Sequence, residues 1–190
     1  VGQDAAPPDV QALFASASYA PGPGRKLDTK PGMTAGVWQM RPESRGHVLA
    51  RSPDPRVQPE IDPNYLAEER DQRTVVAGLR LVRDCFAAPA QALYVVAETL
   101  PGAALQRDDE LLDYARRVGT TVFHASCSCR MGQDPMAVVD DQLRVRGLTG
   151  LRVIDASVMP AVTSTNTNAP TIMIAEKGAM LLHGARRAAA

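Results

Sequence analysis

Three side chains suited to moving protons and steadying charge fall within one short span of this chain. His124 opens the segment Phe123-His-Ala-Ser-Cys-Ser-Cys-Arg-Met-Gly132. A histidine titrates near neutral pH and can take the proton of an alcohol, typically contributing ~10²–10⁴-fold to a rate. Taken alone, an isolated histidine after a helix is more often a satisfied structural residue. Asp155 ends the apolar run Leu151-Arg-Val-Ile154 and is followed by Ala156-Ser157. A carboxylate at the carboxyl end of a strand can accept from ribose-type or ribityl hydroxyls, and a small neighbour such as Ala156 lets backbone approach a phosphate. It can also do no more than cap the next turn. Asn166 and Asn168 precede Pro170, which opens a helix. Asn168 suits an N-cap, but a helix start is also a ready anion site, and an amide there can steady a substrate oxygen.

His124, Cys127 and Cys129 also invite a metal reading. Closed zinc sites need four ligands in paired spacings, and a Cys-x-Cys pair with one histidine is incomplete, so no metal is expected. His47 and His183 read as structural. The usual dinucleotide loop, Gly-x-Gly-x-x-Gly after a strand, is found nowhere in the 190 residues. Any nucleotide cofactor must therefore be gripped largely by another segment or chain.

These residues need elements to position them. Pro21-Gly-Pro-Gly24 and Pro31-Gly32 make residues 1–34 read as turn chemistry. Gly36–Met40 and Gly46–Ala50 read as two strands of an antiparallel hairpin closed by Arg41-Pro-Glu-Ser-Arg45. A third extended stretch is expected around Val57–Ile61. Asn64 reads as the N-cap of a helix from about Tyr65 to Phe86, with Val75, Leu79, Val82 and Phe86 at helical spacing. A second helix is expected from Asp108 to Arg117, its Asp108-Asp-Glu110 start suiting a positive helix terminus and Gly119 ending it. Val138-Val139, Arg144-Val145 and Leu151–Ile154 read as short strands. The Pro170 helix is apolar on nearly every side, which predicts full burial.

Composition narrows the classes. The 21 acidic and 21 basic side chains cancel, which argues against a nucleic-acid or anionic-membrane partner. Three cysteines, Cys85, Cys127 and Cys129, without framework spacing fit a reducing, cytoplasmic and bacterial-like compartment. No apolar run approaches the roughly 20 residues of a membrane span. The polar, Pro-rich opening at Val1 reads as a piece of a longer chain or a processed subunit.

Taken together, the chain resembles the C-terminal part of the glucose–methanol–choline (GMC) family of FAD-dependent oxidoreductases, in its choline and alcohol dehydrogenase-like branch. The resemblance is carried by Leu27-Asp28, Pro31-Gly-Met33, Arg41-Pro-Glu-Ser-Arg-Gly46, Pro63-Asn-Tyr-Leu66 and Gly119-Thr-Thr121. It continues through the His124 segment, Val138-Val-Asp140, Leu143-Arg-Val145, Asp155-Ala-Ser157 and Asn166-Thr-Asn-Ala-Pro-Thr171. The fold it implies is α+β. Residues 1–135 would form most of a substrate-binding domain, an antiparallel sheet flanked by helices. Residues 136–190 would return with one strand and a helix to complete an α/β FAD-binding domain.

The resemblance implies that His124 and Asn168 are catalytic, that Asp155, Ala156, Asn168, Pro170 and Thr171 contact FAD, and that Phe123 faces the substrate pocket. It implies oxidation of a small-molecule alcohol by proton abstraction and hydride transfer to flavin, as a dehydrogenase or an oxidase. An N-terminal FAD-binding segment or chain would be the required partner. Cys127-Ser128 departs from the Gly-Thr of many relatives, which bears on pocket packing more than on chemistry. A redox-neutral hydroxynitrile lyase and a non-catalytic fragment or subunit are the competing readings.

Overall fold

A computed structural model describes residues 8–19, 26–164 and 166–188, with side chains described as far as residue 184. Pro21–Gly24 and the side chains of Arg186 and Arg187 lie outside the described residues. By packing, the chain forms two compact units, one of residues 1–44 and 65–120, the other of residues 45–64 and 121–190.

In the first unit, β1 (Val10–Ala15) pairs antiparallel with β2 (Thr34–Gln39), in a register that sets Val10 against Gln39 and Ala15 against Thr34. The expected hairpin across Arg41–Arg45 does not form, and part of the stretch read as turns is strand. Val10, Ala12 and Phe14 alternate on one side, but the Pro/Gly punctuation that follows masks so short a run. α1 (Glu69–Ala87) lies on this pair. It approaches closely because Gly78 carries no Cβ, which would sit 2.7 Å from Val37 Cγ2. Phe86 packs against Phe14, with ring centroids 6.2 Å apart.

α1 starts four residues later than expected, because Asn64 and Leu66 take left-handed backbone (φ 49° and 58°) that a helix cannot include. Asn64 instead donates its side-chain amide to the Arg45 carbonyl (2.8 Å). Ser44 Oγ accepts from Glu68 N–H just before the helix (3.1 Å). A short helix α2 (Pro89–Ala92) follows, then α3 (Asp108–Val118), close to its expected bounds. Glu110 accepts from the N–H groups of Gln106 and Arg107, both at 3.0 Å, satisfying donors that the helix start leaves orphaned. Half-buried Arg83 of α1 joins this unit together by pairing with Glu98 at 2.8 Å and donating to the Leu105 and Gly102 carbonyls.

The second unit holds β3 (His47–Leu49) paired antiparallel with β4 (Glu60–Asp62), where His47 meets Glu60 at 3.2 Å. The strands expected at residues 138–139, 144–145 and 151–154 reduce to single bridges, Met131↔Val139, Val139↔Val145 and Arg144↔Arg152. Asp140 explains the tightness of this region. Its Oδ1 accepts from the N–H groups of Gln142 and Arg144, and these backbone bonds, Arg144's foremost, hold its carboxyl below the usual aspartate range. Leu143, at φ 61°, is carried back into the core by that turn. A run folded on itself every four to six residues has no room for a ladder.

Val139, Leu143, Val158, Met159 and Ile174 form the buried core of this unit. Ile174 belongs to α4 (Asn168–Ala188), which is not buried all round as its composition predicts: Ile172, Met173 and Met180 are more than half exposed. Among the described residues of this unit, only one face of α4 is covered. On that face Gly178 meets Ile154, and a Cβ there would lie 2.3 Å from Ile154 Cγ2. Alanine gains up to ~1 kcal/mol over glycine in a helix interior, whereas overpacking costs about 1–3 kcal/mol. Gly178→Ala is therefore expected to lower stability by about 1–2 kcal/mol. Adding Ile154→Ala should remove most of that increment in a double-mutant cycle of thermal unfolding. Strict additivity of the two changes would disprove the contact's role.

Candidate active site

The site lies within the second unit, where two backbone stretches run side by side. The N–H groups of Cys127, Cys129 and Met131 donate to the carbonyls of Ala156, Ser157 and Val158 at 3.3, 2.9 and 2.9 Å. This ladder ties the His124 segment to the short 3₁₀ turn Ala156–Val158. Its anchor is the core, since Val158 is fully buried and Cys127, Met131 and Ala156 pack against the cluster.

His124 stands at the head of the ladder, half-buried, between two left-handed residues, Phe123 (φ 63°) and Cys127 (φ 70°). Left-handed backbone at a phenylalanine costs energy and persists only where surrounding contacts demand it. Phe123 N–H donates to Thr121 Oγ1 (3.0 Å), and its ring is 73% exposed, the orientation an apolar contact for a ligand requires. The His124 Nδ1 lies 2.9 Å from Thr167 Oγ1, a bond across 43 residues that seats the imidazole at the start of α4.

That helix start is built around Thr167. Its carbonyl accepts from Thr171 N–H (3.0 Å) and from the Thr171 hydroxyl (2.6 Å). Thr167 therefore holds the capping position, and Asn168 is the first helical residue, with its side chain exposed. The first turn carries no acidic residue. Pro170 has no N–H, so the orphan donors that remain in this turn are those of Asn168 and Ala169.

Asp155 caps the 3₁₀ turn by accepting Ser157 N–H on Oδ1 (2.8 Å). Its carboxylate is exposed, and Oδ2 has no bonding partner among the described residues. The structure thus gathers His124, Asp155, Ala156, Asn168, Pro170 and Thr171 onto one core-backed framework. The Thr171 hydroxyl is already committed to the helix start. Sequence reasoning missed Thr167. The signal was present: threonine is a strong N-cap residue directly before a helix, but two flanking asparagines drew the attention.

Among the described residues no three His, Cys, Asp or Glu side chains are grouped to hold a metal ion, and no helix is long and apolar enough to cross a membrane. Cys127 and Cys129 are half-buried thiols, Cys127 near Ser126 Oγ at 3.3 Å.

His124 is thus held by Thr167 at a helix start free of acidic side chains, and Asp155 caps the 3₁₀ turn laced to the His124 segment. Residues 42–175 match the GMC oxidoreductase family, to which the chain belongs. Among individual relatives, it is 42% identical over 175 residues to an alcohol dehydrogenase [acceptor] of Pseudomonas putida, covering 92% of this chain and 32% of that protein. It is 50% identical over 150 residues to an oxygen-dependent choline dehydrogenase of Stenotrophomonas maltophilia, covering 78% of this chain and 27% of the relative. Among solved structures, pyridoxine 4-oxidase from Mesorbium loti superposes with a TM-score of 0.80 at 31% identity, over 93% of this chain and 35% of the oxidase. Formate oxidase of Aspergillus oryzae, a protein in which FAD modification has been studied, gives 0.82 at 26% identity, over 95% and 32%. The chain thus spans about a third of the length of the relatives it matches. The described residues of this chain, helices with small antiparallel sheets, make an α+β arrangement whose fold these neighbours resemble.

Proposed function

We propose that this chain forms one wall of the active site of an FAD-dependent oxidoreductase that oxidises the CH–OH group of a small alcohol. The carrying observation is the His124–Thr167 bond, which brings the one well-placed base to the start of α4. In this reading residues 1–135 supply most of the substrate side. Residues 136–190 return to an α/β flavin domain whose remainder comes from an N-terminal FAD-binding segment or chain. The exposed Ile172, Met173 and Met180 of α4 support that division, since a nearly all-apolar helix with one covered face lacks the rest of its packing.

The residues present fit one side of FAD. The first turn of α4, free of acidic side chains and with orphan N–H groups at Asn168 and Ala169, suits negative charge on a reduced ring. Asp155 offers a carboxylate oxygen to ribityl or ribose hydroxyls, and Ala156 lets backbone come close. Pro170 and Thr171 complete the turn that faces the cofactor. When bound, FAD supplies the acceptor for a hydride. His124 Nε2 takes the hydroxyl proton as the carbinol C–H bond gives up its hydrogen with both electrons, leaving a carbonyl product. Asn168 donates its amide to the substrate oxygen, and Phe123 gives the alcohol an apolar face to lie against.

The whole enzyme, purified, is expected to show flavin absorbance that bleaches when an alcohol is added without oxygen. Bound flavin that no alcohol reduces would reject the redox assignment. A preparation without flavin, from an enzyme carrying its N-terminal part, would reject the cofactor.

A further inference from the structure

We infer that Thr167 is the positioning residue of the His124 base, its hydroxyl holding the imidazole in the Nδ1–H tautomer, with Pro170 keeping that hydroxyl available. The inference rests on the reading of His124 as the base but concerns a residue that reading does not use.

Thr167 is 7% exposed, and a hydroxyl so buried needs a partner. At an N-cap the usual partner is the N–H of the second or third helical residue, accepted by the side-chain oxygen. In α4 the third helical residue is Pro170, which has no N–H to offer. The hydroxyl bonds His124 Nδ1 at 2.9 Å instead, its only side-chain partner among the described residues. The Thr171 hydroxyl does not compete, because it donates to the Thr167 carbonyl. A proline is most at home at the first helical position. At the third, it removes one of the two helix N–H groups that the capping hydroxyl could accept from.

The chemical consequence follows from the two ring nitrogens. A neutral imidazole carries one proton, and a hydroxyl can either donate to Nδ1 or accept from it; a base acting through Nε2 requires that Nδ1 carry the proton. With Nδ1–H donated to Thr167 Oγ1, Nε2 keeps the lone pair that accepts the alcohol proton. The left-handed Phe123 and Cys127 fix the backbone on both sides of His124, so loss of the Thr167 bond frees the ring alone.

The test uses the flavin-loaded whole enzyme with ¹⁵N-labelled histidine, the His124 signals being assigned by difference from His124→Gln. Long-range proton–nitrogen correlation at a pH where the ring is neutral should show Nδ1 protonated and Nε2 bare. The opposite tautomer in the unaltered enzyme would overturn the inference whether or not any Thr167 variant folds. Thr167→Val, which keeps shape and loses the hydroxyl, should slow the limiting rate of flavin reduction on the order of tenfold or more, as loss of a histidine's orienting partner does. KM should move little, and the Nδ1–H signature should be lost. Thr167→Ser should restore both rate and spectrum. A Thr167→Val enzyme that folds, keeps the Nδ1–H signature and reduces flavin within about twofold of normal would also overturn it. Failure of the base assignment would show separately, as near-normal flavin reduction in a His124 variant.

Discussion

Replacing His124 with alanine is expected to slow flavin reduction by about 10²–10⁴-fold while the cofactor stays bound. General-base assistance by a positioned histidine is worth that range, equivalent to ~3–5 kcal/mol of barrier. The fold should tolerate the change. His124 is only half-buried, lies outside the Val139–Leu143–Val158–Met159–Ile174 core, and takes no part in the Cys127–Met131 ladder. The effect should therefore appear in the limiting rate of anaerobic reduction, with the melting temperature within a few degrees of normal. The proposed cofactor contacts, at Asp155, Ala156 and the α4 start, are left intact. Reduction at a near-normal rate in the variant would remove His124 from the chemistry, and the alcohol proton would need another acceptor.

The second large effect is expected far from that histidine. Asp71 is 1% exposed, the most deeply buried charged side chain among the described residues. Its carboxylate accepts from Glu43 N–H (2.9 Å), from Ser44 N–H (2.7 Å) and from the Ser44 hydroxyl. These bonds dock the Glu43–Ser44 stretch onto the first turn of α1. Hydrogen bonds to a charged group contribute about 1.5–3 kcal/mol each, and orphaned buried donors carry the full desolvation cost. Asp71→Ala is expected to cost roughly 3–5 kcal/mol. At about 2–4 °C per kcal/mol for a chain of this size, the melting temperature should fall by ~6–20 °C.

Asp71→Asn should be nearly as damaging, because its NH₂ group would face the Glu43 and Ser44 N–H groups, which are themselves donors. Exposed Asp84, on the same helix, serves as the control, with Asp84→Ala expected within about 0.5 kcal/mol of neutral. A fall of under 2 °C for Asp71→Ala would show that the turn is held by other means.

Asp71 also shows where sequence reading stops. The periodicity of Val75, Leu79, Val82 and Phe86 makes α1 visible, yet an aspartate in the first turn reads as an ordinary dipole-complementing charge. That it is buried depends on a turn 27 residues earlier, and nothing local announces the partner. The same limit applies to β2. Its strand character is legible, but it pairs with β1, on the far side of a Pro/Gly-rich stretch, rather than across the nearer turn. Asn64 is a good capping residue by type, yet its backbone at φ 49° turns the chain before α1 instead of starting it.

Within the site, the division falls between residue types and their pairings. The sequence by itself determined the family, the α3 bounds, and the candidacy of His124, Asp155, Ala156, Asn168, Pro170 and Thr171. These are local properties of composition, spacing and motif. Only the tertiary structure decided that Thr167 caps α4 and gives its hydroxyl to His124, that Cys127–Met131 is laced to Ala156–Val158, and that α4 keeps an apolar face uncovered. Each of those depends on which distant group occupies a hydrogen-bonding or packing position. That outcome is set by the free energy of the whole arrangement, not by any short stretch of chain.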